Sequence, residues 1–131
     1  MTTILVDHNM EGQAATLWRE IVNQGWPDLV PLELATFATV GLPVTSSDRV
    51  IWRFVQAQRM LLLTNNRNAS GDDSLLQTIR EELNAASLPV LTIGNLDRLA
   101  ERDYRQRCAE CLVDIVLDLP IYLGTGRMFI P

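Results

Sequence analysis

The chain reads as an α/β protein: a three-layer α/β/α sandwich around a mostly parallel five-stranded sheet. Three observations lead there. Short apolar runs alternate strictly with stretches of helical period, in the order β-α-β-α-β-α-β-α-β. The apolar runs are continuous rather than alternating, as strands buried on both faces require. The first run, Ile4-Leu5-Val6, ends abruptly in Asp7, which delivers a carboxylate to one rim of the sheet. In open parallel sheets ligands bind at the carboxyl ends of the strands, so Asp7 is the first candidate for a functional site.

The elements follow in order. After Asp7, Asn9 is the expected N-cap of a first helix beginning at Met10. Ala14, Leu17, Trp18, Ile21 and Val22 share its apolar face, Gly25 is placed to end it and Pro27 bars its continuation. Residues 29–34 form the second strand, which Pro31 assigns to an edge. Residues 35–47 show neither period and read as a loop punctuated by Gly41 and Pro43. Ser46 or Ser47 caps the next helix, with Asp48 in its first turn and Val50, Ile51, Phe54 and Val55 on its buried face. Met60-Leu61-Leu62-Leu63 is a fully buried third strand. It runs into the polar stretch of residues 64–73, and a helix carrying Leu75, Leu76, Ile79 and Leu83 opens at Asp72 and Asp73. Residues 89–93 form the fourth strand. A long last helix carries Tyr104, Cys108, Leu112, Ile115 and Leu119 and stops at Pro120; residues 128–130 form the fifth strand.

Composition narrows the classes of function. A length of 131 residues, 47% apolar and 21% charged, suits one domain spanning residues 1–131. A net charge of −5 supplies no general basic field for nucleic acid. No leader-like segment or membrane-length run stands out, so a soluble, cytoplasmic protein without membrane association is expected. The chain has no lysine, which argues against a phospho-acceptor receiver domain despite the strand-end aspartate. Cys108 and Cys111 form a Cys-x-x-Cys, the spacing of a redox dithiol or half a zinc site. It lies inside a helical pattern, and His8 is the only histidine, so small half-buried helix residues are the simpler reading. The Gly124-Thr125-Gly126-Arg127 turn leads into a strand, not a helix, and lacks the context of a phosphate-binding glycine loop.

The carboxylates carry the strongest chemical signal. Asp7 ends the first strand, Asp48 opens the helix before the third, and Asp72 and Asp73 follow the third strand's polar tail. Convergence on one rim requires a divalent cation to offset their repulsion. Mg²⁺ or Mn²⁺ takes hard oxygen ligands of this kind and activates water against a phosphodiester. The bland alternative is that aspartates near helix starts cap N–H groups and complement the macrodipole. It applies to Asp48, Asp72 and Asp73 more readily than to Asp7. His8 reads as a turn residue that is also available as a base or an anion contact. Arg67 and Arg80 are free to meet phosphate or to form helix ion pairs.

These residues, taken together, resemble the PIN-like domain families of prokaryotes, in particular a small group that opens on a Leu-Val-Asp-x-Asn strand. The matching parts are Ile4-Leu5-Val6-Asp7-His8-Asn9, then Gly41-Leu42-Pro43 with Ser47-Asp48-Arg49-Val50-Ile51, then Leu61-Leu62-Leu63-Thr64-Asn65-Asn66-Arg67-Asn68. The resemblance covers about residues 3–95. The resemblance implies a PIN-like sandwich whose carboxylates bind Mg²⁺ or Mn²⁺ and cut RNA, often as a toxin of a toxin–antitoxin pair and often as a homodimer. By position Asp7, Asp48 and Asp72 are the expected metal ligands, and Asp7, Asp48, Asn66, Asp72 and Asp73 the expected catalytic set. Asn9, Thr64, Arg67 and Asn68 are the expected substrate contacts. The chain departs from the pattern at Asn66 and Asn68, where the family has acids. That departure motivates the alternative of a catalytically degenerate scaffold that binds a protein partner or regulates one, with Trp18, Trp26 and Trp52 as candidate partner surface.

Overall fold

A computed structural model describes all residues, 1–131. Five strands, β1 (Thr2–Val6), β2 (Leu32–Ala35), β3 (Leu61–Thr64), β4 (Val90–Thr92) and β5 (Arg127–Phe129), form one sheet. Its order is β2-β1-β3-β4-β5 and every neighbouring pair is parallel. The helices are α1 (Glu11–Asn23), α2 (Phe37–Val40), α3 (Asp48–Gln58), α4 (Leu75–Glu82) and α5 (Arg102–Leu117).

The two-residue period of a strand sorts the core into two layers. Ile4, Val6, Leu61, Leu63, Leu91 and Ile93 face one way, into a cluster with Leu17 of α1 and Cys108 and Leu112 of α5. Leu5, Leu62 and Val90 face the other way, against Trp52 and Val55 of α3, Leu75 and Ile79 of α4, and Phe37 of α2. Asp7 and Thr64 continue the second set beyond the apolar run. Both side chains therefore belong to the α3–α4 side of the sheet at its carboxyl rim. In this strand order the crevice between β1 and β3 is the switch point at which doubly wound sheets bind ligands. No helix is long and apolar enough to cross a membrane.

Several local expectations need correction. Asp7, not Asn9, is the first cap: it accepts the Asn9 N–H and closes a 3₁₀ turn over His8–Met10, after which α1 starts at Glu11. Residues 35–47 are not wholly irregular. Thr36 and Thr39 form a reciprocal capping box around α2, which Gly41 ends with φ +74°. Ser74, not Asp72 or Asp73, caps α4 by accepting the Gln77 N–H. β2 begins only at Leu32, on the edge that Pro31 indicated, because Trp26–Asp28 forms a 3₁₀ turn ahead of it. α5 stops at Leu117, before a 3₁₀ turn at Leu119–Tyr122 that contains Pro120; a further 3₁₀ turn at Leu96–Ala100 carried no signal in the sequence. β5 starts one residue early, at Arg127. Trp52 is buried and Trp18 and Trp26 pack partly against the core, which leaves little tryptophan surface for a partner.

Leu91 lies fully buried in β4, between β3 and β5, whereas Ile121 is 72% exposed. Leu91→Ala is expected to lower the unfolding free energy by about 2–5 kcal/mol. Ile121→Ala should change it by no more than about 0.5 kcal/mol. Urea denaturation of the two variants checks the layer assignment; equal effects would contradict it.

Candidate active site

The site begins with how Asp7 is satisfied. A carboxylate that follows three buried apolar residues needs partners, because removing it from water is costly. Its backbone N–H donates to Leu63 O at 2.9 Å, prolonging the β1–β3 pairing by one residue. Oδ1 accepts the Asn9 N–H at 3.1 Å, and Oδ2 accepts the Thr64 hydroxyl at 2.7 Å. Thr64 is fully buried, and while it donates to Asp7 its oxygen accepts the Asn66 N–H at 2.9 Å. Thr64 therefore braces Asp7 from below and is not a substrate contact.

Asn66 carries the connection onward. Its Nδ2 donates to Asp48 Oδ2 at 3.0 Å, and its Oδ1 accepts the Asn68 N–H at 2.8 Å. Asn68 Oδ1 in turn accepts the Ser70 N–H at 3.0 Å. Two successive asparagine turns shape the loop after β3, and the Asn66 amide also donates to Asp48, which an ionised aspartate at that position could not do. Asp48 Oδ2 also accepts the Leu75 N–H at 2.9 Å, so one carboxylate at the start of α3 satisfies a free N–H at the start of α4. Asp7, Thr64, Asn66 and Asp48 are thus a continuous hydrogen-bonded chain across three elements.

Above this chain lies a cleft of about 370 Å³ bordered by Asp7, His8, Asn9, Asp48, Asn65 and Asn66. Beneath it, Asp7, Asp48, Thr64 and Asn66 enclose a cavity of about 10 Å³ over an apolar floor of Ile51, Leu62 and Leu75. That space is on the order of one water position. His8 stands on the rim, with Nδ1 2.9 Å from Glu11 Oε2 and its ring 6.1 Å from that of Phe37.

Asp72 and Asp73 are not in this cleft. They border an adjoining open hollow with Asn68 and Ser70, and Asp48 stands at the boundary between the two. Arg49 accounts for their position. Its Nε donates to Asp73 Oδ1 at 2.9 Å and its Nη2 to the Asp72 carbonyl at 2.6 Å. The same guanidinium reaches Glu81 Oε2 at 2.8 Å and Glu82 Oε2, which Arg53 also meets. No group of three or more His, Cys, Asp or Glu side chains converges at metal-binding distance. The acidic centre is the pair Asp7 and Asp48, with Asn66 between them.

Sequence reasoning assigned no role to two participants. Arg49 gathers acceptors from 23 to 33 residues away. Arg127 of β5 donates from Nη1 to the Asn66 carbonyl and to Thr92 Oγ1, each at 2.8 Å. An arginine in an otherwise apolar final strand was the only available hint. Arg67 is exposed on the same loop.

The cysteine pair plays no part at this rim. Cys108 is wholly buried in α5, and burial pushes its thiol up to about 12; burial raises Cys111 as well. Burial thus disfavours the thiolate at both positions.

The Arg49 cluster generates a pH prediction. The Gln77 and Arg49 hydrogen bonds hold the Glu81 carboxyl below its ordinary value of 4.5, and the Arg53 and Arg49 hydrogen bonds do the same for Glu82. A carboxyl lowered on folding contributes stability that is complete above its unfolded value and is lost as pH falls through the folded one. The wild type should therefore lose melting temperature below about pH 4.5, and Arg49→Gln should show a shallower acid limb. Parallel limbs in thermal melts from about pH 6 to about pH 3 would contradict this assignment.

Comparisons of the chain with protein-family models, with curated proteins and with solved structures found no match.

Proposed function

We propose that the chain is a Mg²⁺- or Mn²⁺-dependent ribonuclease of PIN-like type, acting at the Asp7–Asp48 cleft. The observation that carries this reading is the pairing of two carboxylates, from the end of β1 and the start of α3, around one small cavity at the β1–β3 switch point. The donor set fits the metal. Mg²⁺ is commonly held by one or two carboxylates together with waters and substrate phosphates, and needs no closed protein cage. Asp7 and Asp48 would hold it, and Asn66 adds an amide without adding charge. A metal bound there supplies an activated water and offsets charge on the phosphate. The remaining work falls to the chain. Thr64 fixes the Asp7 carboxylate, Asn66 Nδ2 fixes that of Asp48, and Asn9 borders the cleft through which the strand would approach. Asp72 and Asp73 act through Arg49, by holding the loop that carries Asn66 and Asn68. A toxin-like role in the cytoplasm, and a homodimeric state, belong to the same proposal through the resemblance of the Asp7, Asp48 and Thr64–Asn68 segments to PIN-like chains.

A second reading, a scaffold that binds a protein partner without catalysis, is favoured by a specific feature. Asp7 and Asp48 each already accept two hydrogen bonds from the protein, and Asn66 and Asn68 spend their side chains on turns.

The discriminating experiment is incubation of the purified protein with single-stranded RNA in Mn²⁺, Mg²⁺ or EDTA. The nuclease reading expects cleavage with metal only, abolished in Asp7→Asn and reduced about 10- to 100-fold in Asn66→Ala, which loses an orienting contact to a ligand. No cleavage in any divalent metal, with a stoichiometric protein partner recovered from cell extract, would replace it with the scaffold reading.

A further inference from the structure

The cleft beside Asp7 and Asp48 offers more than acids. Asp7, Asp48, Ile51 and Asn66 border both the cleft and the small cavity beneath it, whereas His8, Asn9, Phe37, Val44 and Asn65 border the cleft alone. Two of this second group are apolar: Phe37 is buried, and Val44, in the loop before α3, is 58% exposed. The His8 ring stands 6.1 Å from the Phe37 ring, and its Nδ1 contact with Glu11 Oε2 holds it in place. No arginine borders the cleft, and the chain has no lysine.

Amides supply the polar part. Asn66 spends its side chain on Asp48 and on a turn, and the Ser46 hydroxyl donates to the Pro43 carbonyl at 2.6 Å. Asn9 engages only its backbone N–H, so its exposed amide is unspent. The half-buried Asn65 amide makes no hydrogen bond within the protein, and both its polar atoms remain open to solvent. Each of these amides presents donors and an acceptor side by side.

This lining selects the charge of its occupant. An anion held there without metal would face two carboxylates and no arginine. An uncharged planar group with an apolar face and a hydrogen-bonding edge meets no such repulsion, and that is the description of a nucleobase. Unpaired bases are recognised by stacking on rings such as histidine and by amides along their edges. The cleft volume of about 370 Å³ lies at the small end of the range for small-molecule sites, about 300–1,000 Å³.

We propose that the part of the cleft bordered by His8, Val44, Asn9 and Asn65 is a subsite for one uncharged nucleobase, packed on His8 and Val44 and read by the two amides. That the base belongs to an RNA strand rests on the nuclease reading; the fit to a base does not.

The test uses uncharged nucleosides in EDTA, so it needs neither metal nor cleavage. His8 is the only histidine, and its imidazole gives one reporter signal in NMR. Adenosine, guanosine, cytidine and uridine are titrated in turn into the full chain at fixed pH. The wild type is expected to show a saturable His8 shift with at least one of them, at about millimolar Kd. Asn65→Ala and Val44→Ser are each expected to weaken that binding about three- to tenfold, and Val22→Ser, at an exposed position on α1, to change it by less than about twofold. A dinucleoside phosphate with Mg²⁺ then separates the sources. Tighter binding than by the nucleoside assigns the base to a strand; equal or weaker binding assigns the subsite to a free nucleoside. Three results would overturn the proposal: no saturable shift with any nucleoside, a shift that survives both cleft substitutions, or an equal loss in Val22→Ser. RNA cleavage without nucleoside binding would remove this subsite alone, and nucleoside binding without cleavage would remove the nuclease reading and keep the subsite.

Discussion

The hydrogen bond from the Thr64 hydroxyl to Asp7 Oδ2, at 2.7 Å, is the contact on which the rest of the rim depends. β1 and β3 are neighbours in the sheet, and each carries a buried apolar run, Ile4–Val6 and Leu61–Leu63, toward its carboxyl end. A carboxylate placed next to that core is tolerable only with hydrogen-bond partners. Thr64 supplies one and the Asn9 N–H supplies another. Because Thr64 oxygen also accepts from Asn66, the same buried hydroxyl sets the start of the loop that reaches Asp48 and, through it, the first turn of α4. Removing the Thr64 hydroxyl would disconnect the two acids without touching either.

That arrangement explains why polar groups at this edge are satisfied without any closed acidic cage. Asn66 and Asn68 replace charge with directed amides, and each closes a turn. The two remaining aspartates, Asp72 and Asp73, are drawn aside by Arg49, which also ties α3 to α4 through Glu81 and Glu82. The rim therefore separates its charges: two carboxylates lie over the small cavity, and an arginine-centred cluster gathers the other acids beside it. A largely hydrated divalent ion suits the first of these, since it needs few protein ligands.

The fold was legible because its signals are local. Runs such as Leu61-Leu62-Leu63 and Val90-Leu91 are apolar on both faces, which only a sheet covered on both sides accommodates. Asp7 and Asp48 were legible for the same kind of reason: one ends an apolar run and the other follows a capping serine. α2 was not, because four residues between Thr36 and Gly41 are too few to show a period, and its capping box uses threonine where glutamate or glutamine is the usual partner. The choice of Asp7 over Asn9 as cap was hidden because both are good capping residues, and the strand geometry at Val6 decides between them. Thr64 reads as a polar residue at the start of a polar loop, yet the strand's twofold period turns it inward. Arg49 and Arg127 find partners tens of residues away, 61 in the case of Arg127 and Asn66, and no spacing rule reaches so far.

The claim at the centre of this account is that Asp7 and Asp48 are held as a pair to take a divalent cation. Calorimetric titration of Mn²⁺ into the wild type and into Asp7→Asn tests it most directly. The account predicts binding by the wild type that disappears in the variant while the fold, followed by circular dichroism, is retained. Absence of binding by the wild type, or equal binding by both proteins, would contradict it.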